Sequence, residues 1–223
     1  KLKTEFNRWA EDGRGEEMER HHIPITAPVL GMMDLQPGDH VLDLGCGAGW
    51  ATRLLAARVP KGAVVGVDIS DEMVRRAGQA SREFGNISYR VGSAEKIPAD
   101  ENAFDKVLSV ESFYYYADQG RALDELFRVM APGGRFFILI NLYSDNPYSL
   151  RWAGTLQVPV HALSEKQYIE LISWRGFHNV EARRIPDDSP TPEEYSGKWF
   201  KNAAELREFK RIGALLLMAT KPS

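Results

Sequence analysis

The densest set of chemistry-bearing residues is Asp43-Leu44-Gly45-Cys46-Gly47-Ala48-Gly49, with three glycines at alternate positions behind an acid. Glycine is needed where a backbone turns tightly and a ligand must approach the main chain. The next segment, 51–59, carries Ala51, Leu54 and Leu55 at helical spacing. Its N-terminal amides and positive dipole end would face the same crevice. A plain strand-to-helix turn manages with one glycine, so three favour a ligand loop. The loop is not a dinucleotide fingerprint: read from Gly45, the third glycine of G-x-G-x-x-G falls on Trp50. No G-x-x-x-x-G-K-[ST] occurs, which excludes a triphosphate cradle.

Two further places complete a nucleoside-like pattern. Asp68 stands 23 residues beyond Gly45, where an acid can accept both hydroxyls of a ribose. Gly92-Ser93-Ala94-Glu95 then offers a strip that can read a purine and its amino group. A fourth segment, Glu111-Ser112-Phe113-Tyr114-Tyr115-Tyr116, joins an acid to three consecutive tyrosines that cannot share one face. At least one tyrosine should point at the crevice, where its ring would stabilise a cation. Glu111 would meet an amino group, a substrate cation or a transferable proton; a solvated carboxylate is the plain alternative.

These residues require elements that bring them together. Short apolar runs at 41–44, 63–69, 87–91, 105–110 and 135–142 read as buried strands, with weaker ones at 179–185 and 213–220. Helical patterns lie between them. Ser70 is an N-cap with Asp71 and Glu72 in the first turn, Met73, Ala77, Ala80 and Phe84 share one face, and Gly85 is the stop. Leu123, Leu126, Phe127 and Met130 form another face before Pro132-Gly133-Gly134. Ser164-x-x-Gln167 is a capping box. Strands apolar on both faces that alternate with helices imply a doubly wound, mostly parallel sheet. Its ligands bind at the C-terminal strand ends, where all four segments stand.

The motifs VLDLGCGAG, VVGVDIS, GSAEKIP, FDKVLS and RVMAPGGRFFIL, over roughly residues 37 to 142, resemble those of class I S-adenosylmethionine-dependent methyltransferases. They most resemble the small-molecule branch with the quinone-biosynthesis and sterol-type enzymes. The resemblance implies a seven-stranded Rossmann-like sheet with the last strand antiparallel and inserted between the fifth and sixth. It implies S-adenosylmethionine as cofactor and S-adenosylhomocysteine as product. Carried over by position, Asp43 and the loop of Gly45, Cys46, Gly47 and Gly49 would hold the amino-acid end. Asp68 would hold the ribose, Ile69 and Met73 would flank the adenine, and Ser93, Ala94 and Glu95 would meet its edge. Val110 would run beneath the methionine part.

The rest of the chain should supply the acceptor site. Residues 1–36 read as an N-terminal helical segment that either closes over the cofactor as a lid or covers a sheet edge. Gly13 and Gly15 favour a bent connection there, and Trp9, Met18, His21 and His22 give it groups to close with. The domain itself spans 37–223. It carries insertions at about 143–163 (Tyr143, Tyr148, Arg151, Trp152, His161) and 186–210 (Tyr195, Trp199, Phe200), the second opening with a capped helix start at Thr191-Pro192-Glu193-Glu194. These aromatics wall a substrate pocket or form a small satellite core. If the acceptor must lose a proton, the candidate bases are Glu111, His21 and Tyr115.

Composition bounds the partners. The 223 residues are 43% hydrophobic and carry a net charge of −3, which lacks the electrostatic footprint of nucleic-acid binding. One cysteine and scattered histidines make a metal site unexpected. No apolar run reaches the roughly 20 residues of a membrane span. The N-terminus is polar, with no signal-peptide core and no initiator Met, so the expectation is a trimmed, soluble, cytoplasmic chain. A small-molecule methyl acceptor is expected, and a homodimer stays open. The rivals are a non-catalytic S-adenosylmethionine-binding module and a nicotinamide-dependent oxidoreductase. Trp50 and the lack of a Tyr-x-x-x-Lys pair argue against the second.

Overall fold

The computed structural model describes residues 2–12, 14–156 and 158–223. Two helices, α1 (Leu2–Glu11) and α2 (Arg14–Met32), precede β1 (His40–Leu44). There follow α3 (Trp50–Ala56), β2 (Ala63–Asp68), α4 (Asp71–Ala80), β3 (Ile87–Val91), β4 (Phe104–Val110), α5 (Gln119–Val129) and β5 (Met130–Ile140). The chain ends with α6 (Glu165–Trp174), β6 (His178–Ile185), α7 (Ala203–Ile212) and β7 (Ala214–Thr220). The seven strands form one sheet in the order β3-β2-β1-β4-β5-β7-β6. β7 runs antiparallel to both neighbours, and the other pairings are parallel. This is the expected sheet.

Period-two alternation splits the core into two layers. Leu42, Val107 and Phe136 point to one face and pack with Leu123, Leu126 and Tyr168. Val41, Leu108 and Phe137 point to the other and pack with Leu55, Val59 and the end of α2. That end supplies Ile25, Val29 and Leu30, and Met33 follows just beyond it, all buried. The C-terminal half of α2 is therefore sheet core.

Local chemistry explains most boundaries. The Ser70 hydroxyl accepts the Met73 N–H and caps α4. The Ser164–Gln167 capping box closes in both directions and starts α6. Four expectations are corrected. α4 stops at Ala80 rather than running to Gly85, because Ser81 already leaves helical geometry at φ −111°. β5 starts at Met130, with the Pro132-Gly133-Gly134 turn absorbed as an irregularity in its register with β4. α1 ends at Glu11 and α2 begins at Arg14, so the segment is two helices rather than one, as expected, but Gly15 lies inside α2; Gly13 falls outside the described residues. No helix starts at Thr191-Pro192-Glu193-Glu194. The segment behind it lacks an apolar stripe, and the next helix waits for Asn202, whose side chain accepts the Glu205 N–H.

Candidate active site

The C-terminal ends of the first four strands open on a cavity. The β1 turn gives Leu44 and Gly45; the β2 end gives Val67, Asp68 and Ile69. Gly92, Ser93, Ala94 and Glu95 follow β3, and Ser112, Tyr115 and Tyr116 follow β4. Leu2 and Phe6 of α1 close it from above.

The glycine loop is strapped to β2. The Gly45 and Cys46 amides both donate to the Val67 carbonyl, at 2.8 and 3.0 Å. Asp68 holds the other side: Oδ2 accepts the Gly47 N–H at 2.9 Å and Oδ1 the Ser70 N–H at 2.8 Å. Burial pushes the Asp68 carboxyl above its usual range, and these backbone donors oppose that rise. Gly45 has φ +77°, and a Cβ there would collide with the Ser112 side chain. Only glycine satisfies both conditions. Gly47, at φ +51°, faces open space.

Serine and tyrosine hydroxyls build the inner wall. Ser112 Oγ pairs with Ser109 Oγ at 2.9 Å and Tyr116 Oη at 2.8 Å, and reaches the Leu44 carbonyl at 3.2 Å. This network ties the β4 end to β1. Glu95 accepts the Ala117 N–H at 3.0 Å through Oε1, which holds the strip after β3 against the start of α5.

The roof is aromatic. Phe6, Trp9 and Tyr115 meet edge to face, with centroids 5.1 Å apart for Phe6–Trp9 and Phe6–Tyr115 and 6.2 Å for Trp9–Tyr115. Trp9 and Ala10 also bury Met73 of α4. Polar contacts clasp α1 to the start of α4. Ser70 Oγ and Asn7 Oδ1 lie 2.6 Å apart, Asn7 Nδ2 donates to Asp71 at 2.9 Å, and Lys3 sits 3.4 Å from Asp71.

Beside the cavity, Glu111 ends β4 at φ +54°. A non-glycine residue there costs roughly 1–3 kcal/mol and persists only where its surroundings hold it. Glu111 Oε1 accepts the Asn141 N–H, and Oε2 accepts the Tyr114 hydroxyl at 3.0 Å. Burial pushes its carboxyl up to about 7, against both hydrogen bonds. Asp43 has a similar environment one strand away. It is 2% exposed, takes the Thr52 hydroxyl at 2.6 Å, and is pushed by burial to about 7.

Of the residues singled out from sequence, Gly45, Asp68, Ile69, Ser93, Ala94, Glu95 and Tyr115 line the cavity. Asp43, Cys46, Gly47, Gly49, Met73, Val110, Glu111 and His21 do not. Asp43 turns inward to organise the first turn of α3. Cys46 is buried, with its thiol pushed up by burial, which makes it inert. Gly49 is the left-handed N-cap of α3, where a Cβ would strike the Tyr89 ring. Met73 packs under Trp9, Val110 belongs to the sheet's other face, and His21 is exposed on α2. The insertion aromatics form the satellite core: Trp152 packs on Trp199, Phe200 and Phe209 with centroids 5.2–5.9 Å apart.

Sequence reasoning missed Leu2, Ser112 and Tyr116 as cavity residues. Ser112 and Tyr116 lie in the segment already marked, four residues apart across one turn, and that spacing was the available signal. Nothing local marks Asn7, whose partners lie 63 and 64 residues away.

Comparison with known proteins agrees with this architecture. Residues 42–138 match the family described as a methyltransferase domain. A demethylmenaquinone methyltransferase of Symbiobacterium thermophilum is 42% identical over 141 residues, covering 61% of this chain and 52% of that protein. An O-methyltransferase of Pyrenophora dematioidea is 29% identical over 164 residues, covering 70% and 61%. The chain thus spans little more than half the length of these relatives. One solved structure matches along its whole length, with a TM-score of 0.92, 33% identity and 98% of both chains covered. It is the chain assigned as a methyltransferase in a complex with the Haloferax volcanii Trm112 methyltransferase activator. With its glycine loop, the acid at the end of β2 and its 3-2-1-4-5-7-6 sheet, the chain belongs to the class I S-adenosylmethionine-dependent methyltransferases.

Proposed function

We propose that the protein moves a methyl group from S-adenosylmethionine to a small-molecule acceptor. The observation that carries this reading is the cavity at the strand ends, roofed by Phe6 and Tyr115. A site covered by the chain's own first helix suits an acceptor small enough to be enclosed. The net charge of −3 weighs against a nucleic-acid acceptor.

The residues fit the cofactor. Each Asp68 oxygen accepts one N–H in the structure, which leaves a lone pair on each for the two ribose hydroxyls. Ser93, Ala94 and Glu95 form the strip for the purine edge, and Ile69 lies against its face. The open space above Gly47 leaves its backbone accessible to the amino-acid end.

The cofactor supplies an electrophilic methyl on a positively charged sulfur. The chain's work is to align an acceptor with that methyl and keep water out. Phe6 and Tyr115 do both, with Trp9 packed behind them: their rings are apolar walls, and aromatic faces near a cation contribute about 0.5–2 kcal/mol. By analogy with the Haloferax complex, we also propose that the chain takes a protein partner of the activator kind.

The test is calorimetry of the full chain with S-adenosylhomocysteine and with NAD, followed by a metabolite screen read by product mass. Micromolar binding of the first and a methylated small molecule are expected. NAD binding without S-adenosylhomocysteine binding, or methyl transfer only to protein or RNA, overturns the reading.

A further inference from the structure

The partners of Ser112 dictate the direction of the hydroxyl network on the inner wall. The Leu44 carbonyl can only accept, so the single Ser112 proton goes there, at 3.2 Å. Ser109 and Tyr116 must then each donate to Ser112 Oγ, at 2.9 and 2.8 Å, and they fill its two lone pairs. Tyr116 has thereby given up its only donor capacity. Its oxygen has lone pairs left, and nothing else, to offer a ligand.

That oxygen stands on the cavity. Tyr116 lines it together with Gly45, Asp68 and Glu95. Its Oη lies against the glycine loop, 3.3 Å from where a Cβ on Gly45 would be. The ring is 9% exposed and packs edge to face on Phe113 with centroids 5.5 Å apart, so its orientation is fixed. Burial pushes the phenol above its ordinary range, and the Asp68 and Glu95 carboxylates act in the same direction, so Tyr116 stays neutral and keeps its proton on Ser112.

We propose that Tyr116 reads the charge of the cofactor: its oxygen, with lone pairs alone toward the cavity, favours the positive sulfur of S-adenosylmethionine over the neutral sulfur of S-adenosylhomocysteine. The inference rests on the methyl-transfer reading above. In the cofactor the sulfur joins the ribose to the amino-acid chain. With the ribose at Asp68 and the amino-acid end along the glycine loop, the sulfur passes beside Gly45, where Tyr116 Oη stands. When the methyl leaves, the electron pair of the broken carbon–sulfur bond stays on sulfur, and the positive charge is gone. The oriented Tyr116 dipole then loses its partner. The same wall that holds the loaded donor therefore releases the spent product.

The test needs no known acceptor. Calorimetry of the full chain compares S-adenosylmethionine, S-adenosylhomocysteine and sinefungin, in which a protonated amine stands in place of the methylated sulfonium. Absence of binding by all three would overturn the methyl-transfer reading and this inference with it. With binding intact, Tyr116→Phe should lower sinefungin affinity about 10-fold, the value of a hydrogen bond to a charged group. S-adenosylmethionine should weaken in the same direction, while S-adenosylhomocysteine affinity should stay within about 3-fold. Ser112→Ala removes the acceptor that holds the Tyr116 proton, which frees the hydroxyl to turn that proton toward the cavity. The preference for the two cationic compounds should fall in this variant as well. S-adenosylhomocysteine bound as before and an unchanged preference in Tyr116→Phe would overturn the charge-reading role alone. An unchanged preference in Ser112→Ala would show that Ser112 does not direct the Tyr116 oxygen, and would overturn it equally.

Discussion

Asp68 illustrates how one side chain serves both ligand and scaffold. Its two oxygens hold the Gly47 and Ser70 amides, so it pins the glycine loop to the start of α4. Hydrogen bonds to a charged group contribute about 1.5–3 kcal/mol each. Asp68→Ala should weaken S-adenosylhomocysteine binding by about 2–4 kcal/mol after allowance for non-additivity. It should also lower stability by about 1–2 kcal/mol, since the loop loses its anchor. Calorimetry and thermal melts check the two effects; unchanged affinity would leave Asp68 a loop strap only. Residue types and spacing made Asp68, Gly45 and Ser93 to Glu95 legible, because a ligand-facing turn restricts them locally. The same spacing misassigned Asp43, whose acid meets a hydroxyl nine residues away. Inward and outward orientations of a carboxylate at a strand end leave no local trace.

At the scale of elements, the short helices were legible where a side chain caps them, as at Ser70 and Ser164. The segment at Thr191 shows the limit. Pro and Glu in first-turn positions do not start a helix without an apolar stripe to bury. The role of α1 was left open between lid and edge cover because its partners are distant in sequence. In the structure it roofs the cavity with Leu2 and Phe6 and is clasped at Ser70 and Asp71, while the last turns of α2 belong to the sheet core. Removal of residues 1–12 should therefore leave a folded sheet, whereas a cut beyond Ile25 should not. Exposed clasps such as Lys3–Asp71 contribute little, so the loss falls on the Phe6–Trp9–Tyr115 contacts. Turnover on the identified acceptor should drop on the order of 100-fold, because misplacement by about 1 Å costs that much. Cofactor affinity should drop less, about 10-fold. Full activity of the shortened chain would reduce α1 to an edge cover.

For the molecule as a whole, the strand order was readable because buried parallel strands and right-handed crossovers leave few topologies. Charge burial was not readable, and it sets the pH dependence of stability. Asp43 and Glu111 are both pushed up to about 7 from ordinary carboxyl values near 4. Between about pH 4.5 and 7 the folded chain thus keeps two protons that the unfolded chain releases, and stability falls as pH rises. His22 acts in the opposite sense. Burial, with His21 beside it, pushes its imidazole down to about 4. The unfolded chain then holds a proton that the folded chain lacks up to about pH 6.5, so this group adds stability as pH rises. Glu72, pulled down to about 2 by Arg75 and Arg76, is exposed and matters only below about pH 4.5. Asp68, which burial also raises, acts in the same direction as the two carboxyls; the raised carboxyls outweigh the one imidazole, so the wild type should lose stability from pH 5 to 6.5. The slope should be at most about 2.8 kcal/mol per pH unit, two net protons. The double variant Asp43→Asn, Glu111→Gln keeps acceptor oxygens for Thr52 and Asn141 but removes both titrations. With only Asp68 left to oppose His22, its stability should fall less steeply than the wild type's, or rise, over the same interval. Urea unfolding at half-unit steps of pH reads this directly. A wild-type curve that rises from pH 5 to 6.5, or a variant curve that falls as steeply as the wild type's, would show that the two buried carboxyls do not hold their protons near neutrality.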